Sequence, residues 1–256
     1  MTSLFWNKYF GNWNLKRIMI VYIGDSITFG ANHFDPKKTS PPSIATKFLQ
    51  EHLKDTMIYF ANCGVGGATS MDFLPESKRF FLKVQKAADK FIKYENSSKQ
   101  ILFSILLGTN DSARKGIGGV SVTPDQYRHY LSVIINNLIR MYPGCKIVLH
   151  KPIWFSNNTY NAPKYLPDAL ERLVLYAQEI HSLVFEYSKS APDTVFLGDT
   201  EGFAHFKNNY LSDHTHEKGD AGTFYLHPNK KGAAWLGEIW GKAILPVIQK
   251  TLSQIS

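Results

Sequence analysis

Five short runs rich in β-branched and aromatic residues, at 18–23, 57–61, 101–107, 146–150 and 194–198, recur along the chain. Their length and composition suit buried strands. Between them lie segments with apolar residues at helical spacing. The first is Ile44, Phe48, Leu49 and Leu53 after Pro41-Pro42-Ser43, followed by a lysine-rich region over 71–94. Next come Tyr127, Tyr130, Leu131, Ile134, Ile135, Leu138 and Met141 after Thr123-Pro124-Asp125, and then a stretch over 167–188. The last is Trp235, Leu236, Ile239, Trp240 and Ile244 after His227-Pro228, with Pro228 suited to the first helical position. Strand and helix in alternation require parallel neighbours, because a crossover helix returns the chain to the same end of the sheet. The expected fold is therefore α/β: a three-layer αβα, flavodoxin-like doubly wound sheet of about five parallel strands. Its crevice belongs at the carboxyl ends of the first and third strands.

A chain of 256 residues can bury one sizeable core, and neither a linker nor an internal repeat divides it, so 1–256 reads as one domain with 1–16 as an amino-terminal extension. No apolar run reaches membrane-spanning length. The first residues mix Phe5, Trp6, Tyr9, Phe10 and Trp13 with Asn, Lys and Gly, without the uninterrupted apolar core of a secretory signal. The compartment is left open, cytoplasmic by default. The net charge of +8 comes from scattered lysines, and the adjacent lysine pairs, Lys37-Lys38 and Lys230-Lys231, each flank a helix start or turn. That pattern describes a mildly basic surface, and no nucleic-acid partner is expected. Cys63 and Cys145 adjoin strands and read as free, apolar thiols. The span 115–119 is a glycine-rich loop, 208–223 is polar and irregular, and 151–163 is a long loop holding Trp154, Phe155 and Tyr160 among asparagines. Asp213-His214-Thr215-His216-Glu217 alternates metal-ligand types at i and i+2, but no third ligand is specified, so a solvated loop is expected and no metal or cofactor.

Four loops then fall on one edge of the sheet. The seven residues Gly24-Asp25-Ser26-Ile27-Thr28-Phe29-Gly30 follow the first strand, Asn62 to Thr69 follow the second, and Gly108-Thr109-Asn110-Asp111 follow the third. Tyr225 to Asn229 precede the last helix. Taken singly, each has a structural reading: Ser26 or His227 caps a helix, Gly66-Gly67 makes a tight turn, and Asn110 closes a turn through its side chain. Taken together and in this order, they resemble the blocks of the SGNH, or GDSL, hydrolase superfamily, and the resemblance runs from Ile20 to about Trp240. It implies that Ser26 is a nucleophile whose own N–H also faces the oxyanion. Gly67 would supply a backbone donor, with Gly66 the alternative if the register shifts by one, and Asn110 a side-chain amide donor. His227 would be the base that takes the serine proton and returns it to the leaving alcohol. Asp25 and Asp111 are read as braces of their turns.

One position departs from the family pattern. The usual acid lies three residues before the histidine, and Phe224 stands there. A phenylalanine cannot hold an imidazole tautomer. The alternatives are a Ser26–His227 dyad whose Nδ1–H donates to a backbone carbonyl, the possible acid Asp220 from the same loop, or the more distant Asp199 or Asp213; the dyad is preferred, with Asp220 second. The resemblance spans lipases, lysophospholipases, thioesterases and carbohydrate O-acetylesterases. The flat face of Trp154 beside amides favours a saccharide, with packing under its loop as the alternative role. The expected activity is a serine esterase that removes acetyl or another short acyl group from a carbohydrate through an acyl-enzyme. A lipid- or thioester-directed relative and a non-catalytic glycan-binding relative are the other readings.

Overall fold

The computed structural model describes residues 16–94, 99–113, 121–160, 164–165 and 167–254. Residues 1–15, most of the expected extension, and the glycine-rich span 115–119 lie outside the described residues. In chain order the strands and helices are β1 (Lys16–Gly24), α1 (Ser26–Phe29), α2 (Pro36–Thr39), α3 (Pro41–His52), β2 (Thr56–Asn62), α4 (Phe81–Tyr94), β3 (Lys99–Leu106), α5 (Pro124–Met141) and β4 (Lys146–Leu149). There follow α6 (Pro167–Ser190), β5 (Val195–Leu197), α7 (Gly202–Asp213), β6 (Glu217–Gly219), β7 (Gly222–Phe224) and α8 (Lys230–Ser253). β1 to β5 form one sheet in the order β2-β1-β3-β4-β5, with all neighbours parallel. This is the doubly wound, three-layer architecture expected of the alternating pattern, with the winding reversing between β1 and β3.

Alternation along β1 shows how the layers are built. Met19, Val21 and Ile23 face a core completed by α4, α5 and α6. Ile18, Ile20 and Tyr22 face a second core completed by α3, α7 and α8. A strand apolar on both faces can sit only in the middle of such a sheet. Capping sharpens two boundaries. Thr123 and Gln126 exchange reciprocal hydrogen bonds at the start of α5. The side chain of Asn229 accepts from the N–H groups of Lys231 and Gly232, so Asn229, and not the position ahead of Pro228, caps α8. That correction leaves His227 and Pro228 outside the helix.

Two further expectations are revised. The lysine-rich region is helical only from Phe81, because short 3₁₀ turns at Met71–Phe73 and Pro75–Ser77 come first, the second opening on Pro75. The span 208–223 is not irregular: it holds the end of α7 and an antiparallel hairpin in which Glu217 pairs with Phe224 and Gly219 with Gly222. Cys63 and Cys145 are buried free thiols, and among the described residues no helix is long and apolar enough to cross a membrane.

Candidate active site

β1 ends at Gly24, and Asp25 caps the single turn of α1 by accepting from the N–H of Ile27 at 2.9 Å. Ser26 is thereby fixed as the first helical residue beyond the strand, where its N–H has no intrahelical acceptor. Its Oγ lies 2.9 Å from Nε2 of His227. On the other side of the ring, Nδ1 lies 2.9 Å from Oε2 and 3.0 Å from Oε1 of Glu217, and Oε1 also accepts from the backbone N–H of His227 at 3.1 Å. A carboxylate only accepts, so Nδ1 carries the proton and Nε2 presents its lone pair to the serine hydroxyl. That is the tautomer a general base needs.

Glu217 was not among the acids singled out in the sequence. It reaches His227 because the hairpin folds β6 back beside β7, placing Glu217 directly opposite Phe224, three residues before the histidine. Residues opposite each other in an antiparallel pair share a face about 5 Å apart, so a carboxylate across the hairpin stands in for one missing along the chain. Phe224 itself is buried in the core. Burial opposes ionisation of Glu217, but the hydrogen bonds and charge of His227 outweigh it, with a smaller contribution from the amide of Asn32, and hold its carboxyl below the usual range. Nδ2 of Asn32 donates to Oε2 at 3.0 Å.

The other proposed acids are engaged elsewhere. Asp220 is exposed at the hairpin turn. Asp199 accepts from the N–H groups of Glu201 and Gly202 at the start of α7. Asp213 contacts His205 and Lys231 at 2.7 Å each. The preferred dyad, with a carbonyl on Nδ1, is likewise replaced by a carboxylate. The metal-like run is divided in the same way: His214 is buried, Nε2 of His216 lies 3.1 Å from the carbonyl of Leu211, and Glu217 serves His227. It is therefore not a solvated loop, and among the described residues no group of three His, Cys, Asp or Glu is placed to hold an ion.

The glycine loop and the Asn110 loop converge from β2 and β3. Gly67 has φ +73°, in a turn closed by Ala68 N–H on the carbonyl of Val65. Asn110 is buried, and its Nδ2 donates to the carbonyl of Ala68 at 3.0 Å while Oδ1 accepts from the hydroxyl of Tyr165. One amide N–H of Asn110 is thus spent on joining the two loops, leaving the second for a ligand. Asp111 accepts from the backbone N–H and the hydroxyl of Ser70, tying the same loops a second time. Both carboxylates beside the site are fully buried, and burial pushes Asp25 and Asp111 up to about 6.

The long loop after β4 has a structural task that its aromatic residues did not announce. The N–H of Ser156 donates to the carbonyl of Tyr225, the hydroxyl of Ser156 accepts from the N–H of Tyr225, and Nδ2 of Asn158 donates to the carbonyl of Thr223. The loop therefore braces the hairpin and the approach to His227. Trp154 is half-buried, its ring 5.4 Å from that of Tyr210 and 6.0 Å from that of His214.

The fold recurs among solved structures. A variant of an acetyl-xylooligosaccharide esterase from Geobacillus superposes with a TM-score of 0.59 at 18% identity, over 88% of this chain and 93% of that one. A carbohydrate acetylesterase family member from Sinorhizobium meliloti gives 0.54 at 18% identity, over 92% and 99%. A lipase/acylhydrolase from Enterococcus faecalis gives 0.51 at 17%, over 89% and 95%. At such identities the likeness is one of fold. Among curated proteins no sequence matches this chain. The GDSL-like lipase/acylhydrolase family model matches residues 20–240, the span that carries Ser26, Gly67, Asn110, Glu217 and His227, and the chain belongs to that family of carboxylic ester hydrolases.

Proposed function

We propose that this esterase cleaves a short acyl ester, most simply an acetyl group on a saccharide, through an acyl-enzyme on Ser26. The observation that carries the mechanism is the continuous contact from Oγ of Ser26 through both ring nitrogens of His227 to the carboxylate of Glu217. His227 takes the Oγ proton as the serine attacks the ester carbonyl, and Glu217 stabilises the imidazolium that forms. The carbonyl oxygen, now an oxyanion, receives the N–H groups of Ser26 and Gly67 and the free amide N–H of Asn110. Each such donor is worth roughly 3 kcal/mol in comparable sites. The tetrahedral adduct collapses by expelling the alcohol, which takes its proton from His227. Water then repeats the sequence on the acyl-serine, with His227 as base, and releases the acid.

The acetyl and saccharide assignments are supported by the acetylesterases among the structures of like fold. They are tested together. A serine-directed phosphonate should modify Ser26 and leave a Ser26→Ala variant unmodified. Across a panel of esters, acetylated oligosaccharides should turn over at least about tenfold faster, by kcat/KM, than eight-carbon or longer acyl esters. A preference for long acyl chains or thioesters would overturn the substrate assignment, and unmodified Ser26 would overturn the mechanism.

A further inference from the structure

The two lysine pairs read as scattered surface charge are brought to one place by the fold. Lys37-Lys38 lie in α2, Lys230-Lys231 open α8, and these two helices pack against each other. Between them is a cavity of about 400 Å³ whose walls include Asn32, Phe34, Lys38, Thr215 and Lys230. Its one acidic wall residue, Asp35, lies 3.4 Å from Lys38. Lys231 is neutralised by Asp213 at 2.7 Å, whereas Lys230 is exposed and forms no ion pair among the described residues. With Lys38 beside Asp35, the uncompensated positive charge on the cavity wall is that of Lys230. Phe34 adds a second unusual feature, because its ring is wholly exposed. A phenylalanine ring left in water forgoes the burial that stabilises most such side chains. Here it offers a flat apolar face beside amides, hydroxyls and ammonium groups, the surface that matches a sugar ring carrying an acid.

The cavity also lies next to the histidine, on the side of Nδ1 and the backbone carbonyl. Asn32 contacts Glu217 at 3.0 Å, and the N–H of Thr215 donates to the carbonyl of His227 at 2.8 Å. In the proposed reaction His227 protonates the departing alcohol, so the alcohol part of the substrate lies on the histidine's side of Ser26, while the carbonyl oxygen faces Gly67 and Asn110. We infer that this cavity is a subsite for a negatively charged sugar in the alcohol part of the ester, stacked on Phe34 and held by Lys38 and Lys230. The inference rests on the esterase reading for its role, but the binding can be measured without turnover.

The test is titration calorimetry of the full chain with trigalacturonate and with the neutral galactose trisaccharide, neither of which carries an ester. At about 50 mM salt the anionic trisaccharide should bind at least about tenfold tighter than the neutral one, with the preference shrinking in high salt. Lys38→Glu combined with Lys230→Glu should abolish the preference, and Phe34→Ala should weaken both ligands. These side chains are exposed, so the variants keep the fold. Equal binding of the two trisaccharides, a preference that survives the charge reversals, or no binding of either at millimolar concentration would each overturn the subsite. Modification of Ser26 by the phosphonate reports separately on the esterase reading.

Discussion

Glu217 grips His227 at both its ring and its backbone nitrogen, so the carboxylate sets the tautomer, the ring plane and the height of the imidazole together. Glu217→Gln removes the charge and allows the wrong tautomer, and kcat should fall about 10³-fold or more with little change in KM. Asp220→Asn, at the exposed turn, should stay within about twofold of the parent. The reverse ranking of the two variants would return Asp220 to the role. Asn32 acts one step further out, on Oε2 of Glu217, and Asn32→Ala should lower kcat about three- to tenfold. If KM rather than kcat changes, Asn32 serves the substrate and not the carboxylate. Ser26, Asn110 and His227 are candidates from the sequence because each follows a recognisable strand or precedes a recognisable helix, and the fold sets Ser26 and His227 2.9 Å apart. Glu217 was not, since its neighbour relation to His227 runs across a hairpin and not along the chain.

At the scale of elements, the three-residue strands β6 and β7 explain that blindness. Periodicity needs more residues than such strands possess, and Glu-Lys-Gly-Asp-Ala-Gly-Thr-Phe reads as polar loop unless its two-residue turn, Asp220-Ala221 ahead of Gly222 at φ +92°, is taken as a hairpin signal. The five sheet strands, by contrast, are built on apolar runs of five to seven residues, 194–198 around the three-residue β5 included, each followed by a turn signal or a helical pattern. The hairpin also depends on a contact that no local pattern encodes. A Cβ on Gly219 would stand 2.1 Å from the carbonyl oxygen of Tyr160, so the loop after β4 and the hairpin fit only with glycine there. Gly219→Ala should push the hairpin off that loop, lowering kcat about tenfold through Glu217 while the far-ultraviolet circular dichroism is unchanged. Full activity in this variant would mean that the hairpin's position does not control the carboxylate.

For the molecule as a whole, the carboxyl ends of β1 and β3 meet at the reversal of winding, and the same place carries two carboxylates with no solvent exposure, Asp25 and Asp111. Burial raises both to about 6, against an ordinary value of 3.8. The consequence for stability has a definite sign. Between pH 4 and 6 the unfolded chain has released these protons while the folded chain still holds them, so the folded state binds more protons and stability declines as pH rises through that window. The displacement of Asp25 from 3.8 to about 6 corresponds to about 3 kcal/mol. Asp25→Asn keeps an oxygen that can cap α1 but cannot ionise. Denaturant unfolding of the two proteins should therefore show the parent losing about 3 kcal/mol relative to the variant between pH 4 and pH 7, with the difference levelling above pH 7. A difference that stays flat across this range would show that Asp25 ionises in the fold as readily as in the open chain, and that the crevice beside Ser26 is wetter than its packing indicates.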